Sequence, residues 1–290
     1  MTDPTGLAAP PTSSPRRLPL TPEVAEKHRA LQRYLAELGS VVTAFSGGID
    51  SSLVAYVAHR TLGPRALAVT SGSESLTRDD LALTARLAAE WGIAHRVVRT
   101  RETENPAYLA NPVNRCYFCK TTLYGELRAL AQAEGFAAVV NGINRDDWGD
   151  HRPGLQAARE HDVRAPLSDC GFVKDDIRML ARHLGLTNAE KPQAACLSSR
   201  VPYGYSISIP VLKQIEQAER ALRELGLGQL RVRHHQDVAR IEVPVADFER
   251  VLAQRERIDA ALRALGYRYV TLDLRGFRSG SLNEGLSGKD

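Results

Sequence analysis

Short apolar runs alternate with helix-length segments over the first two-thirds of the chain, and this alternation restricts the fold more than any other feature. Val41 to Phe45, Ala66 to Thr70, His95 to Thr100 and Ala137 to Asn141 read as strands. Between them, Ser51 to Thr61, Thr77 to Trp91 and Cys119 to Glu134 read as helices. A leading helix starts at Thr21-Pro22-Glu23, with Thr21 as N-cap and proline at the first helical position, and stops at Gly39. Lys174 to Leu184 is another helix, closed by Gly185. Strands joined through helices run parallel, and a parallel sheet needs both faces covered. The expected fold class is therefore α/β with a doubly wound parallel sheet.

After about Tyr205 the texture changes. A helix from Pro210 to Leu225 precedes strands Gln229 to His234 and Val238 to Val243, then a helix Val245 to Leu265 and a strand Tyr267 to Leu274. This αββαβ order predicts a small α+β unit. The expected division is a disordered, Pro/Thr/Ser-rich tail over 1–20, the α/β domain over 21–204 and the small domain over 205–290.

The loop after the first strand reads Ser46-Gly47-Gly48-Ile49-Asp50-Ser51-Ser52 and leads into a helix. Two glycines let backbone amides approach an anion closely, and Ser46, Ser51 and Ser52 add hydroxyl donors. The following helix directs its positive end at the same point. Asp50 would repel a bare phosphate, so a carboxylate there fits a Mg²⁺ ligand. A plain Gly-rich turn is the simpler reading, but it does not account for the whole run. The pattern resembles the signature of the PP-loop ATP pyrophosphatases and lacks the Gly-Lys-Ser/Thr of the Walker sequence. That resemblance implies ATP binding at Ser46, Gly47, Gly48, Asp50, Ser51 and Ser52, cleavage between the α- and β-phosphates, and an adenylated substrate. Asn141 to Asp147 follows another strand, and in a doubly wound sheet both loops face one site. Asp146 and Asp147 read either as a solvated loop or as contacts to nucleotide or metal.

Four cysteines are present, Cys116, Cys119, Cys170 and Cys196. In a reducing compartment they are not structural disulfides. Cys116-Tyr117-Phe118-Cys119 is one C-x-x-C, and a structural zinc site usually takes two such pairs. The pair reads as a redox dithiol, half a zinc site or part of an iron–sulfur site, with only Cys170 and Cys196 left to complete it, and three thiolates on a four-iron cluster would leave one iron open. Arg115 and Lys120 flank the pair and favour thiolates. Cys170 reads as a turn cysteine without a role.

The resemblance narrows further on several stretches in order: Ser46 to Ser52, Asn111 to Lys120, Gly149 to Leu155, Ala195 to Arg200, Leu230 to His234 and Gly276 to Glu284. Together they are similar to the LarE family of ATP-dependent sulfur transferases, in a three-cysteine variant. The family implies a small-molecule substrate, pyridinium-3,5-biscarboxylic acid mononucleotide, whose carboxylates become thiocarboxylates for the nickel-pincer nucleotide of lactate racemase. It implies Cys196 as the reacting cysteine with Ser199 beside it, and Cys116, Cys119 and Cys196 as ligands of a 4Fe-4S cluster. It further implies Arg231 and Arg233 as the substrate phosphate site, Glu219 and Glu242 as divalent-metal ligands, and a homo-oligomer.

Rival functions are a tRNA thiolase and an ammonia-dependent adenylating synthetase. A net charge of +4 without a basic run disfavours an RNA partner, and the synthetase has no use for three cysteines. No stretch of the chain approaches a membrane span, and the N-terminus lacks a secretory apolar region, so the expected location is the cytoplasm.

Overall fold

The computed structural model describes residues 19–149, 153–192, 195–278 and 280–284. Most of the expected tail (1–18), the stretch Asp150-His151-Arg152, Gln193-Ala194 and Ser279 lie outside the described residues.

The first unit runs α1 (Pro22–Leu38), β1 (Val41–Ala44), α2 (Ile49–Leu62), β2 (Ala66–Ser71), α3 (Arg78–Trp91), β3 (His95–Val98), α4 (Pro106–Leu109), α5 (Arg115–Glu134), β4 (Ala138–Val140), α6 (Pro153–Glu160), α7 (Pro166–Asp169) and α8 (Lys174–Leu184). Local chemistry sets several of these ends. Thr21 accepts a hydrogen bond from the Val24 amide, and Thr77 accepts one from the Asp80 amide. Gly92 and Gly185 close α3 and α8 in the left-handed conformation.

All four strands are parallel, in the order β3-β2-β1-β4. The chain moves outward from β1 through β2 to β3, then returns to place β4 on the other side of β1. The winding direction therefore reverses between β1 and β4, and a crevice opens at their carboxyl ends. Successive β1 residues feed opposite layers. Val41 joins Leu53, Val57, Leu31 and Leu180 from α1, α2 and α8, whereas Val42 joins Leu127 and Ala157 from α5 and α6. Each such fully buried leucine contributes roughly 1.5–3 kcal/mol relative to exposure.

The second unit runs α9 (Ile209–Glu224), β5 (Arg231–His235), β6 (Val238–Glu242), α10 (Phe248–Ala253), α11 (Arg255–Ala264) and β7 (Tyr269–Leu272). Its sheet has the order β5-β6-β7, with β5 antiparallel and β7 parallel to β6. Ala218, Leu222, Val232, Ile241, Ile258 and Leu262 form a core of its own. A smaller cluster joins the units: Tyr108 from α4, Leu197 and Val201, and Leu212 and Ile215 from α9.

Two expectations are corrected. The helix expected from Cys119 begins at Arg115, so both cysteines of the pair lie near its start. The single helix expected over Val245 to Leu265 is a 3-10 turn (Val245–Asp247) followed by α10 and α11, divided at Gln254, whose side chain donates to the Leu225 carbonyl. Among the described residues, no helix is long and apolar enough to cross a membrane.

Candidate active site

The β1–α2 loop forms a cradle held from within. The Ser46 amide and hydroxyl both reach Ser51 Oγ (3.2 and 3.1 Å), and Ser51 Oγ donates to the Gly48 carbonyl at 3.1 Å. Gly47 has φ +69°, which an L side chain rarely adopts, and it packs against Thr84 of α3. The helix begins at Ile49, inside the motif, so Asp50 lies in its first turn.

Three supports of this cradle come from distant sequence. Asn188, buried in the segment after α8, donates from Nδ2 to the Gly47 carbonyl (3.1 Å) and to Ser52 Oγ (2.8 Å). Gly142 follows β4, and a Cβ there would stand 2.6 Å from the Ser51 amide nitrogen. Lys174, at the start of α8, places Nζ 2.7 and 2.6 Å from the two carboxylate oxygens of Asp50. Its amide donates to Asp146 Oδ2 at 2.8 Å, while Asp147 Oδ2 accepts from the Asn144 amide at 3.0 Å. The loop after β4 thus meets the phosphate-type loop across the crevice. Both Asp50 oxygens face the Lys174 ammonium, so a divalent cation at this carboxylate would have to displace or share that contact.

The cysteines converge at the same sheet end. Cys116 and Cys119, three apart on α5, share a helix face. Cys196 precedes a 3-10 turn, Leu197–Arg200, whose Leu197 amide donates to the Ser75 carbonyl in the loop beyond β2 (2.8 Å). Buried Arg115 ties the two segments, donating to Asn111 Oδ1 at 2.6 Å and to the Ser198 carbonyl at 2.9 Å. Tyr108 adds a hydroxyl contact to Ser198 at 2.5 Å. The field of both Cys196 and Cys116 acts on Arg115, and both act on Cys119, so the three sulfurs lie within electrostatic range of one another.

Their states differ. Cys116 and Cys196 are exposed. Burial, with the Glu102 carboxylate adding to it, pushes the Cys119 thiol up to about 12 against the opposing pull of Lys120. At Cys119 burial outweighs the pull of Lys120, so the flanking cation alone does not favour the thiolate there. Burial likewise raises the half-buried Cys170 to about 11; it caps α7 and packs on the main core. Among the described residues, no three His, Cys, Asp or Glu side chains are arranged to hold a single metal ion.

Below the Cys196 segment runs a buried charge network. Arg200 donates to the Ala195 and Cys196 carbonyls (2.6 and 3.1 Å) and pairs with both oxygens of Glu219 (2.8 and 3.1 Å). Ser199 Oγ donates to the Cys196 carbonyl at 2.7 Å. Arg233 pairs with Glu242 through two 3.0 Å bonds and donates to the Ser199 carbonyl at 2.6 Å. Glu219 also meets Arg223, and Glu242 meets Arg240. A divalent cation at either carboxylate would first have to displace these guanidiniums.

Arg231 differs from Arg233. It is 8% exposed, stacks over Phe277 with 4.4 Å to the ring centroid, and donates to the Arg278 carbonyl at 2.9 Å. Among the described residues it forms no ion pair, and burial together with Arg233 and Arg200 lowers its pKa. An anion would relieve that excess of positive charge.

Lys174 and Asn188 join the site without any signal in the sequence that marks them as site residues, whereas Arg115 reads in the sequence as a cation beside the cysteine pair but not as the tie to the Cys196 segment. Gly142 does carry a signal, since a glycine directly after a strand marks a close backbone approach.

The family model described as asparagine synthase matches residues 28–122. An uncharacterized protein of Synechocystis is 44% identical over 261 residues, covering 89% of this chain and 97% of that protein. Pyridinium-3,5-bisthiocarboxylic acid mononucleotide synthase of Lactiplantibacillus plantarum is 39% identical over 265 residues, covering 91% of this chain and 96% of the enzyme. An uncharacterized protein of Methanocaldococcus jannaschii is 27% identical over 246 residues, covering 82% of this chain and 91% of that protein.

Proposed function

This chain belongs to the pyridinium-3,5-bisthiocarboxylic acid mononucleotide synthase family of ATP-using sulfur transferases, and we propose that it adenylates the carboxylates of pyridinium-3,5-biscarboxylic acid mononucleotide and exchanges their oxygen for sulfur. A carboxylate oxygen attacks the α-phosphorus of ATP and pyrophosphate leaves. A sulfur nucleophile then attacks the acyl carbon, and AMP departs with the former carboxylate oxygen. Adenylation matters because an oxide dianion is a poor leaving group and AMP a good one. Two rounds give the dithiocarboxylate.

The chain's own residues have distinct tasks in this reading. The amides and hydroxyls of Ser46 to Ser52 receive the triphosphate, Asp50 holds its Mg²⁺, and Asp147 borders the nucleotide from the β4 loop. Asn188 and Gly142 fix the cradle. Arg231 takes the substrate phosphate, while Arg200 and Ser199 hold the Cys196 backbone. A small-unit boundary near residue 204 and a homo-oligomeric, cytoplasmic state belong to the same proposal.

Cys116, Cys119 and Cys196 are proposed to hold a 4Fe-4S cluster. The donor set fits: two thiols on one helix turn and a third on the segment that Arg115 ties to it. A cluster is wider than one ion, so it does not require the tight grouping of a mononuclear site. Bound by three thiolates, it would supply an iron free to carry the transferable sulfur.

The observation that carries the proposal is the Leu197 to Ser75 hydrogen bond, which links the thiol segment to the strand ends bearing the ATP loop. The test is iron and sulfide analysis of anaerobically purified protein. Brown protein that loses iron and activity together in each of Cys116→Ala, Cys119→Ala and Cys196→Ala supports it. Active, colourless protein whose Cys196 becomes lighter by hydrogen sulfide after turnover would replace the cluster by a sacrificed cysteine.

A further inference from the structure

Asp50 has a partner that sequence proximity does not supply. Lys174 comes from 124 residues away and contacts both carboxylate oxygens, at 2.7 and 2.6 Å. The side chains are 29% and 26% exposed, so the pair is only partly screened by water. The lysine backbone is fixed: its amide donates to Asp146, and the preceding Val173 amide donates to Asp176 at 3.1 Å. Only the flexible four-carbon stem is free to move.

We propose that Lys174 is an internal counter-ion that keeps free divalent metal off Asp50 and makes metal entry conditional on nucleotide. The inference rests on the reading that Asp50 holds the metal of ATP. A bare dication approaching Asp50 must expel the ammonium or share one carboxylate with it, and the two cations repel. A dication arriving with a triphosphate brings several negative charges with it. These receive the displaced Nζ close to its original place, because the loop amides that hold them adjoin Asp50. The ammonium thus passes from carboxylate to phosphate as the metal enters, and no charge is left unpaired. The device gives order to binding: nucleotide and metal enter together, and the empty enzyme does not collect metal.

The test is Mn²⁺ titration by electron paramagnetic resonance on the full chain, with and without a non-hydrolysable ATP analogue. Wild-type protein should bind Mn²⁺ strongly only with the analogue. Lys174→Met should tighten nucleotide-free Mn²⁺ binding roughly tenfold or more and weaken the analogue by a similar factor, the size expected from a single charge-assisted interaction. Adding Asp50→Asn to that variant should abolish the new Mn²⁺ site. Lys174→Gln, which keeps much of the length but not the charge, carries the same expectations should the methionine variant fail to fold. Unchanged nucleotide-free Mn²⁺ affinity in a folded, neutral variant overturns the proposal, as does a new Mn²⁺ site that survives Asp50→Asn. Failure of the underlying reading is separately visible: Asp50→Asn alone would then leave pyrophosphate release intact.

Discussion

Gly142→Ala tests how the phosphate cradle is held. The added Cβ would lie 2.6 Å from the Ser51 amide nitrogen, 2.8 Å from the Asp50 carbonyl carbon and 2.9 Å from Ser51 Cα. All three atoms are backbone, so no side chain can swing aside. Ordinary contact begins at 3.4 Å, and the start of α2 must recede by most of an ångström. That shift falls on Asp50 and Ser51 together. Overpacking of this kind costs about 1–3 kcal/mol of stability, and a displacement near 1 Å at a reacting group costs on the order of a hundredfold in rate. The variant should therefore remain folded while ATP–pyrophosphate turnover falls by about two orders of magnitude. Gly125→Ala is the matched control. It lies within α5, its Cβ would meet only His161 Cε1 at 3.8 Å, and alanine there should stabilise the helix by up to about 1 kcal/mol with turnover unchanged. Wild-type turnover in folded Gly142→Ala would refute the reasoning that this close approach positions the loop.

Further outcomes follow from the site. Asp50→Ala should abolish substrate-dependent pyrophosphate release while circular dichroism and the thermal melt stay near wild type. Arg231→Ala should weaken substrate binding about ten- to a hundredfold by calorimetric titration and leave ATP affinity unchanged, whereas Arg233→Ala should destabilise the fold by about 3 kcal/mol or more in urea melts, because Glu242 loses its bidentate partner. In iron-free protein at pH 8, alkylation followed by mass spectrometry should label the exposed Cys116 and Cys196 well before Cys119. Because the unfolded Cys119 thiol ionises before the folded one, urea-melt stability should fall progressively as pH climbs from the ordinary thiol range towards 12.

How far the sequence predicts this structure depends on the range of the cause. Thr21 and Thr77 cap helices through neighbours three residues away, and Gly39, Gly92 and Gly185 end them; such local chemistry is legible directly. The strand–loop–helix at Ser46 to Ser52 is equally local and points to the fold and the ATP site together. The early start of α5 is not legible, because Arg115 joins the helix while its guanidinium is satisfied by Asn111 and by Ser198, 83 residues on. Glu219 and Glu242 look like acidic residues on a helix and a strand, and only the fold brings Arg200 and Arg233 to them. Lys174 is legible as the start of a helix but not as the partner of Asp50. Its sequence neighbours Asp175 and Asp176 are the nearer carboxylates along the chain, and the winding of β4 and α8 around β1 decides otherwise.

The central claim is chemical: ATP is spent to place sulfur on a carboxylate. Mass spectrometry of pyridinium-3,5-biscarboxylic acid mononucleotide after anaerobic incubation with the protein, ATP, Mg²⁺ and inorganic sulfide, against a control without protein, tests it most directly. The account predicts a product in which carboxylate oxygen is replaced by sulfur, with one AMP and one pyrophosphate released for each replacement. An amide at the same carbon, or AMP and pyrophosphate released with the substrate recovered unchanged, would contradict it.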